Sequence, residues 1–385
     1  MGAIFVLTSH TAKSGARSGV QAVVRGMLSG LSKKSVHFQA VRWANWRKTL
    51  LPLSAKYSKR LVPNLETIDR LPGRLHGSWL LLPEVIYHNQ IGAVIAYART
   101  QQMRVAAIFY DAIPISHPEL VRRKAVQYHA DYMTGLCNVD LLIPLSHSAA
   151  DEFRLFAEKR GLRLPTIHVC TSAGDLLGEE RPPAKPDLST QVVNILCVST
   201  LEPRKNHKTL LEAFELTSAT LSQPHLRLQL VGDRYEGADF VVETVKAAMA
   251  RNPNVLWHGK LTDDQLMNRY SECDFTIYPS VLEGFGLPII QSLWNRRPCI
   301  CANFGTMAET ANGGGCLTVD VRDAAKLRDA IVTLATRRDI RQKLVEEIER
   351  RHVKTWQEYA TEICETLESS MVMSAADVRE KVRMR

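Results

Sequence analysis

Short runs of branched and aromatic apolar residues recur along this chain, separated by longer segments whose apolar positions keep a helical spacing. In the first half the runs fall at residues 3–7, 36–41, 79–82, 105–109 and 139–144, with a weaker one at 166–170. Near-continuous apolar strands of this length imply a parallel sheet covered on both faces. From Asp175 to Gln191 the pattern breaks, with Pro182, Pro183 and Pro186 among charged residues, and reads as an exposed linker. The alternation then restarts at 192–198, 226–231, 255–257, 275–278 and 299–302, each run followed by a helical segment. That repetition predicts an α/β chain with two doubly wound units.

Two helix starts are well signed. Thr262-x-x-Gln265 is a capping box ahead of a helix reaching Cys273, and Leu287-Pro288 places proline in a first turn just after Gly286. A loop from His10 to Gly19, carrying Gly15 and Gly19, precedes a helix over 20–31, and from Asp323 onward the helices become strongly charged and amphipathic.

A length of 385 residues suits two such units better than one. With 45% hydrophobic and 23% charged residues, a disordered or collagen-like chain is excluded. The run 3–7 is too short for a signal-peptide core and lacks a basic segment before it, Val6 stands where a myristoylation site needs Ser or Thr, and no stretch nears the roughly 18 apolar residues of a membrane span. The eight cysteines include one close pair, Cys299-x-Cys301, and no C-x-x-C, so neither a zinc site nor a redox dithiol is signalled, and reduced thiols in a cytoplasmic protein are expected. The net charge of +9 is concentrated: Arg47, Lys48, Lys56, Lys59, Arg60, Arg70 and Arg74 outnumber Glu66 and Asp69, with Trp43 and Trp46 just upstream. Three readings stay open for that stretch: an ordinary solvated face, contact with an anionic membrane surface or lipid-linked acceptor, or another polyanion. No nucleic-acid recognition motif accompanies the charge, so no nucleic-acid partner is expected.

Open α/β sheets bind ligands beyond the carboxyl ends of their strands. After 192–198 comes Glu202-Pro203-Arg204-Lys205-Asn206, two adjacent cations ahead of a helix that begins near Asn206. A compact ammonium beside a planar guanidinium can neutralise a diphosphate, although an Arg-Lys pair alone is more often solvated surface. After 275–278 comes Pro279-Ser280-x-x-Glu283-Gly284-Phe285-Gly286-Leu287-Pro288, where glycines allow close backbone approach and a helix start favours an anion. Glu283 then faces sugar hydroxyls or, more plainly, stabilises the helix dipole. After 105–109 comes Tyr110-Asp111-Ala112-Ile113-Pro114, where Asp111 can orient or deprotonate an acceptor hydroxyl or simply form a turn. Neither a dinucleotide G-x-G-x-x-G nor a P-loop motif occurs.

The motifs of the second half, Leu201-Glu202-Pro203-Arg204-Lys205-Asn206, Val231-Gly232-Asp233, His258-Gly259-Lys260-Leu261 and the segment 279–288, resemble in order the family 4 retaining glycosyltransferases of GT-B fold. The first half is similar more loosely, through Ser18-Gly19-Val20-Gln21, the segment 110–114 and His117-Pro118-Glu119, to the bacterial polysaccharide and lipopolysaccharide branch, often mannosyltransferases. The resemblance implies two facing Rossmann-like domains with an interdomain cleft that closes on donor binding. The acceptor-binding domain would span 1–180, joined by a C-terminal helix at about 355–385, and the nucleotide-sugar-binding domain 190–354. It implies that Arg204 and Lys205 hold the donor diphosphate, that Glu283 contacts the transferred sugar, and that Gly284, Phe285, Gly286 and Leu287 offer backbone donors to the phosphates. Gly259, Lys260 and Leu261 would lie against the base, and Gly19 would line the first phosphate loop.

Two departures from the family pattern stand out. Gln291 occupies the position where the family has a second, ribose-binding glutamate, and Tyr110 precedes Asp111 where many relatives have His. The implied reaction moves a hexose, with GDP-mannose as the donor the branch suggests, to a glycan or lipid-linked hydroxyl. It needs no metal or cofactor, in an enzyme that is cytoplasmic or peripheral at the inner membrane face. The rivals are a non-catalytic sugar-nucleotide or membrane-associated binding protein and a sugar-nucleotide epimerase of the same fold.

Overall fold

The computed structural model describes residues 2–14, 18–34, 36–63, 65–86, 90–175, 180–183 and 191–383, with side chains up to residue 370. The expected positions Gly15, Pro186 and much of the 175–191 linker lie outside the described residues. Two compact units emerge, one made of Met1–Ala173 and Lys354–Arg385, the other of Gly174–Val353.

The first unit is built on β1 (Ile4–Leu7), β2 (Phe38–Ala44), β3 (Thr49–Pro52), β4 (Trp79–Leu82), β5 (Arg104–Phe109), β6 (Leu141–Pro144) and β7 (Thr166–Ile167), ordered β3-β2-β1-β4-β5-β6-β7. All neighbours pair in parallel except β2 and β3, which form an antiparallel hairpin with Ala44 opposite Thr49. The sequence pattern missed β3, because its four residues sit at the start of the cationic stretch. The hairpin also separates two tryptophans that the sequence grouped. Trp43 packs edge-on to Tyr97 in the core, whereas Trp46 in the turn is 79% exposed.

Trp79, Leu80, Leu81 and Leu82 are wholly or almost wholly buried, which is why this run reads as a continuous apolar strand. The helix Gly19–Ser32 starts at a capping box in which Ser18 and Gln21 exchange hydrogen bonds. It receives the last helix, Trp356–Arg383, through two glycines. A Cβ on Gly26 would lie 2.1 Å from the Trp356 ring, and one on Gly30 would lie 2.1 Å from the Trp356 carbonyl oxygen. Only side-chain-free positions let the indole settle there, so the C-terminal segment is part of the first unit's core.

The second unit contains β8 (Val192–Val198), β9 (His225–Val231), β10 (Val255–Trp257), β11 (Phe275–Tyr278), β12 (Cys299–Ala302) and β13 (Cys316–Val319), all parallel and ordered β10-β9-β8-β11-β12-β13. The order reverses between β8 and β11, creating a crevice at their carboxyl ends. The sequence did not show β13, a half-exposed edge strand entered through Gly313, Gly314 and Gly315, all at positive φ. The reading of 175–191 as an exposed linker needs correction where it can be seen. Asp175 is buried, and the Arg181 guanidinium donates to the carbonyls of Leu293, Trp294 and Ile348 at 3.1–3.3 Å. Those bonds supply partners to the Trp294 and Ile348 carbonyls near two helix ends and a second one to the Leu293 carbonyl, which already accepts from the Arg296 amide. Among the described residues no helix is long and apolar enough to cross a membrane.

Candidate active site

The loops leaving β8 and β11 are stitched together before any side-chain charge is considered. The Val281 amide and the Ser280 hydroxyl both donate to the Arg204 carbonyl, at 2.9 and 3.1 Å, and the Arg204 guanidinium returns a bond to the Leu282 carbonyl at 2.9 Å. Because β8 and β11 are neighbours in the sheet, residues about 80 apart in sequence emerge side by side. The segment Pro203–Lys205 is a 3-10 turn that ends at Asn206 in the left-handed region, and the Asn206 side-chain amide donates to the Val321 carbonyl at 2.8 Å. This fixes where the two cations leave the backbone.

Their side chains converge on Glu283. Arg204 contacts one carboxylate oxygen at 2.8 Å and the Lys205 ammonium contacts the other at 2.5 Å, with side-chain exposures of 22%, 9% and 11% for Arg204, Lys205 and Glu283. The Ser280 hydroxyl also lies within bonding distance of the oxygen that Lys205 contacts, its single proton shared between that carboxylate and the Arg204 carbonyl, and Lys205 also donates to the Tyr278 hydroxyl at 2.8 Å. On its other side Arg204 holds Glu202 at 2.9 Å, whose carboxylate accepts a further bond from Thr200.

Burial pushes the Glu283 carboxyl up, but Lys205 and then Arg204 outweigh it and hold its pKa at about 2. Burial pulls Arg204 down, yet Glu283 and Glu202 leave it raised overall. Lys205 is lowered, chiefly by burial and further by Arg204, with Glu283 opposing. Next to it His207, bonded to Ser199 at 3.1 Å, is held neutral at about 3 by burial and by the Lys205 charge. The result is a nearly dry pair of cations balanced by two carboxylates, with Glu283 ionised across the whole physiological range. Such a group can accept hydroxyl hydrogen bonds while its two cations face an anion.

The rest of the β11 loop leads into the helix Leu287–Trp294. Gly286 stands before it at φ +89°, and a Cβ there would meet Ile289 at 3.2 Å. The Thr310 hydroxyl bonds to the Phe285 carbonyl, and Phe285 itself is buried, so this loop is braced from below. Gly284 and Leu287 are half-buried on the same loop. The Gln291 side chain, one helical turn further on, is half-buried and has no hydrogen-bond partner among the described residues. At the end of β10, Gly259 has φ +65° and its carbonyl accepts from the Gly232 amide at 2.9 Å; Lys260 is exposed, and Leu261 packs against the cluster around Tyr270.

Arg204, Lys205 and Glu283 are thus in mutual contact, with Gly284, Phe285, Gly286 and Leu287 on the adjoining loop. Asp111 and Gly19 belong to the first unit. Asp111 follows β5, where its carboxylate accepts from the Ile113 amide at 3.1 Å and its carbonyl accepts from His129 at 3.0 Å. Beside it, Glu152 receives the Ala112 amide at 2.9 Å, and burial together with the Asp111 charge raises its pKa. Gly19 opens the first helix, with nothing within 4 Å of an added Cβ.

Sequence reasoning missed Glu202, Ser280 and Tyr278 as members of the ionic cluster, although the first two lie inside the quoted motifs. It also missed Glu84, whose buried carboxylate sits at the crossover point of the first sheet and accepts the amides of His10 at 2.8 Å and Thr11 at 2.5 Å. Nothing in its sequence neighbourhood marks Glu84, because its partners are 73 and 74 residues away.

The chain is similar to several known proteins. Residues 180–351 match the family described as "Glycosyl transferases group 1". The serotype-specific mannosyltransferase WbdA of Escherichia coli is 22% identical over 270 residues, which are 66% of this chain and 33% of that protein. The O-antigen chain mannosyltransferase B of the same organism is 26% identical over 227 residues, 57% of this chain and 58% of that one. The chain therefore spans about a third to somewhat over half the length of these relatives. Among solved structures, Anabaena Alr3699/HepE in complex with UDP and glucose superposes with a TM-score of 0.67 at 15% identity, covering 96% of this chain and all of that one. Residues 180–351 thus resemble the group 1 glycosyl transferases, in a chain whose parallel-sheet α/β units share the GT-B fold of its structural neighbours.

Proposed function

We propose that this protein is a retaining glycosyltransferase that moves a hexose, mannose in the first instance, from a nucleoside diphosphate donor to a hydroxyl of a glycan or lipid-linked glycan. The observation that carries the reading is the Arg204–Lys205–Glu283 cluster at the crossover point of the second sheet. A diphosphate developing negative charge as the sugar–oxygen bond breaks is what two desolvated cations and a helix start stabilise. Glu283, kept ionised, accepts hydrogen bonds from sugar hydroxyls. The departing phosphate takes the acceptor proton on the face where the new bond forms, which gives retention without a side-chain nucleophile. Asp111 would orient the acceptor hydroxyl. With protein cations doing the charge stabilisation, no metal is required.

The names of the Escherichia coli relatives favour mannose, whereas the HepE structure contains UDP and glucose, so the donor base is decided by assay. The test is a transfer screen over GDP-, UDP- and dTDP-sugars in EDTA, comparing the natural protein with Glu283→Ala and Arg204→Ala. Release of nucleoside diphosphate from one donor, lost in both variants, supports the reading; nucleotide binding without turnover on any acceptor supports a non-catalytic binding protein. The unpartnered Gln291 amide is the feature that favours this second reading.

The hairpin turn favours an anionic membrane surface as a further partner. Trp46 is largely exposed, the Arg47 guanidinium stacks 4.6 Å from its ring centroid, and Lys48 adjoins it. An indole flanked by cations suits the headgroup region of an acidic bilayer.

A further inference from the structure

Three metal-ligating side chains meet at the far edge of the first unit's sheet. Beyond β7 the chain continues along β6, with the His168 amide donating to the Leu142 carbonyl and the Cys170 amide to the Pro144 carbonyl, both at 3.0 Å. That alternation puts the His168 and Cys170 side chains on one face. The last helix supplies Glu362. A ring nitrogen of His168, the Cys170 sulfur and a Glu362 carboxylate oxygen all lie within 4.8 Å of one another. His168-x-Cys170 alone is no sequence signature, because the third ligand stands close to the other end of the chain.

We propose that His168, Cys170 and Glu362 form a binding site for a zinc-class divalent cation, which clasps the last helix to the edge of the first sheet. The donor set selects the ion: an imidazole, a thiolate and one carboxylate suit zinc and its transition-metal neighbours, whereas magnesium and calcium ask for oxygen ligands. Zinc sits about 2.0–2.3 Å from such atoms, so the corners of its tetrahedron lie roughly 3.3–3.8 Å apart. Closing from 4.8 Å therefore takes a movement of about 1 Å. His168 can make it, since it is exposed and its ring has no hydrogen-bond partner among the described residues.

The other two ligands are already held. The Cys170 sulfur lies 3.8 Å from the Thr366 hydroxyl, which bonds to the Glu362 carbonyl one helical turn back at 2.7 Å. The Lys354 ammonium bonds to one oxygen of the Glu362 carboxylate, and to the carbonyl and hydroxyl of Thr171 at 3.1 and 3.2 Å. It thereby orients the carboxylate from outside the ligand set and leaves the second oxygen for the ion. On binding, the ion sheds waters, the Cys170 thiol releases its proton to solvent as the sulfur–metal bond forms, and a remaining water fills the fourth position. The ion enters from the side of the exposed imidazole. All three ligands belong to the first unit, whereas Arg204, Lys205 and Glu283 belong to the second. The clasp is structural and adds nothing to the charge stabilisation assigned to those residues.

The test uses the reduced full chain, freed of metal with EDTA and desalted. It is titrated with zinc against a chromophoric chelator in excess magnesium, and separately with cobalt(II), whose thiolate complexes show a sulfur-to-metal charge-transfer band. Expected are one zinc ion taken from the chelator per chain and a charge-transfer band that Cys170→Ser abolishes. His168→Ala, at an exposed position that leaves the core intact, should weaken zinc binding at least about tenfold. Cys299→Ala should leave both signals unchanged, which separates this site from the other buried thiols. Zinc left on the chelator by the unsubstituted protein overturns the proposal. So does a charge-transfer band that survives Cys170→Ser, or an affinity unchanged in His168→Ala.

Discussion

Replacing Glu283 by glutamine keeps the shape of the side chain and removes the charge on which two buried cations depend. The size of the effect follows from the carboxyl's own titration. Its pKa falls from an ordinary 4.5 to about 2 in the fold, and a difference of about 2.5 units corresponds to about 3.4 kcal/mol at pH 7. That agrees with the roughly 3–5 kcal/mol seen when one partner of a buried ion pair is removed. The sign is that of a depressed acid: the stabilisation is complete above the unfolded-state pKa near 4.5 and is lost as pH falls through the folded-state value near 2. The gap between natural protein and Glu283→Gln should therefore shrink to about 2 kcal/mol at pH 3.5. Urea unfolding followed by tryptophan fluorescence measures both, since Trp257 and Trp294 belong to the second unit. Inorganic pyrophosphate should restore part of the lost stability, because it can take the place of the missing carboxylate between Arg204 and Lys205. A loss under about 1 kcal/mol at pH 7, or one that is the same at both pH values, would refute the claim that the charge of Glu283 organises this site.

Four further outcomes are expected. Arg204→Lys should cut transfer by more than about tenfold despite keeping the charge, since an ammonium cannot span Glu202, Glu283 and the Leu282 carbonyl at once; steady-state kinetics would show it. Gly286→Ala should lower stability by about 1–2 kcal/mol from its positive φ alone, read as a shift in the urea midpoint of the second unit. Gln291→Glu should tighten nucleoside diphosphate-sugar binding by calorimetry if this position meets ribose hydroxyls, because a charged acceptor bonds them more strongly than an amide. Trp46→Ser should weaken sedimentation with vesicles containing anionic lipid without changing turnover on a soluble acceptor.

What the sequence could and could not reveal divides along a physical line. Trp79–Leu82 and Phe275–Tyr278 are legible because both faces of these strands are covered, so their residues are largely apolar, and the buried Thr276 hydroxyl is satisfied by Ser292. Thr49–Pro52 and Cys316–Val319 are edge strands with incomplete cover, in which Leu50 alone is fully buried, and four such residues do not stand apart from loop in the sequence. The same division runs through the site. Arg204, Lys205 and Glu283 could be chosen because each stands at a strand end within a motif, but their contact exists only because β8 and β11 are neighbours. A register between strands 80 residues apart is set by the crossover of the whole sheet and not by any local pattern. Glu84 on the His10 and Thr11 amides, Arg181 on a helix end and Glu362 beside Cys170 are all partnerships of that kind. Each joins a residue unremarkable in its own neighbourhood to a distant one. Trp46 shows the converse: three residues from a core tryptophan, it is turned to solvent by the hairpin, and the meaning of the cationic stretch depends on that turn. Composition supplied the charge and the indole; only the β2–β3 pairing decides which of the two rings an external surface can reach.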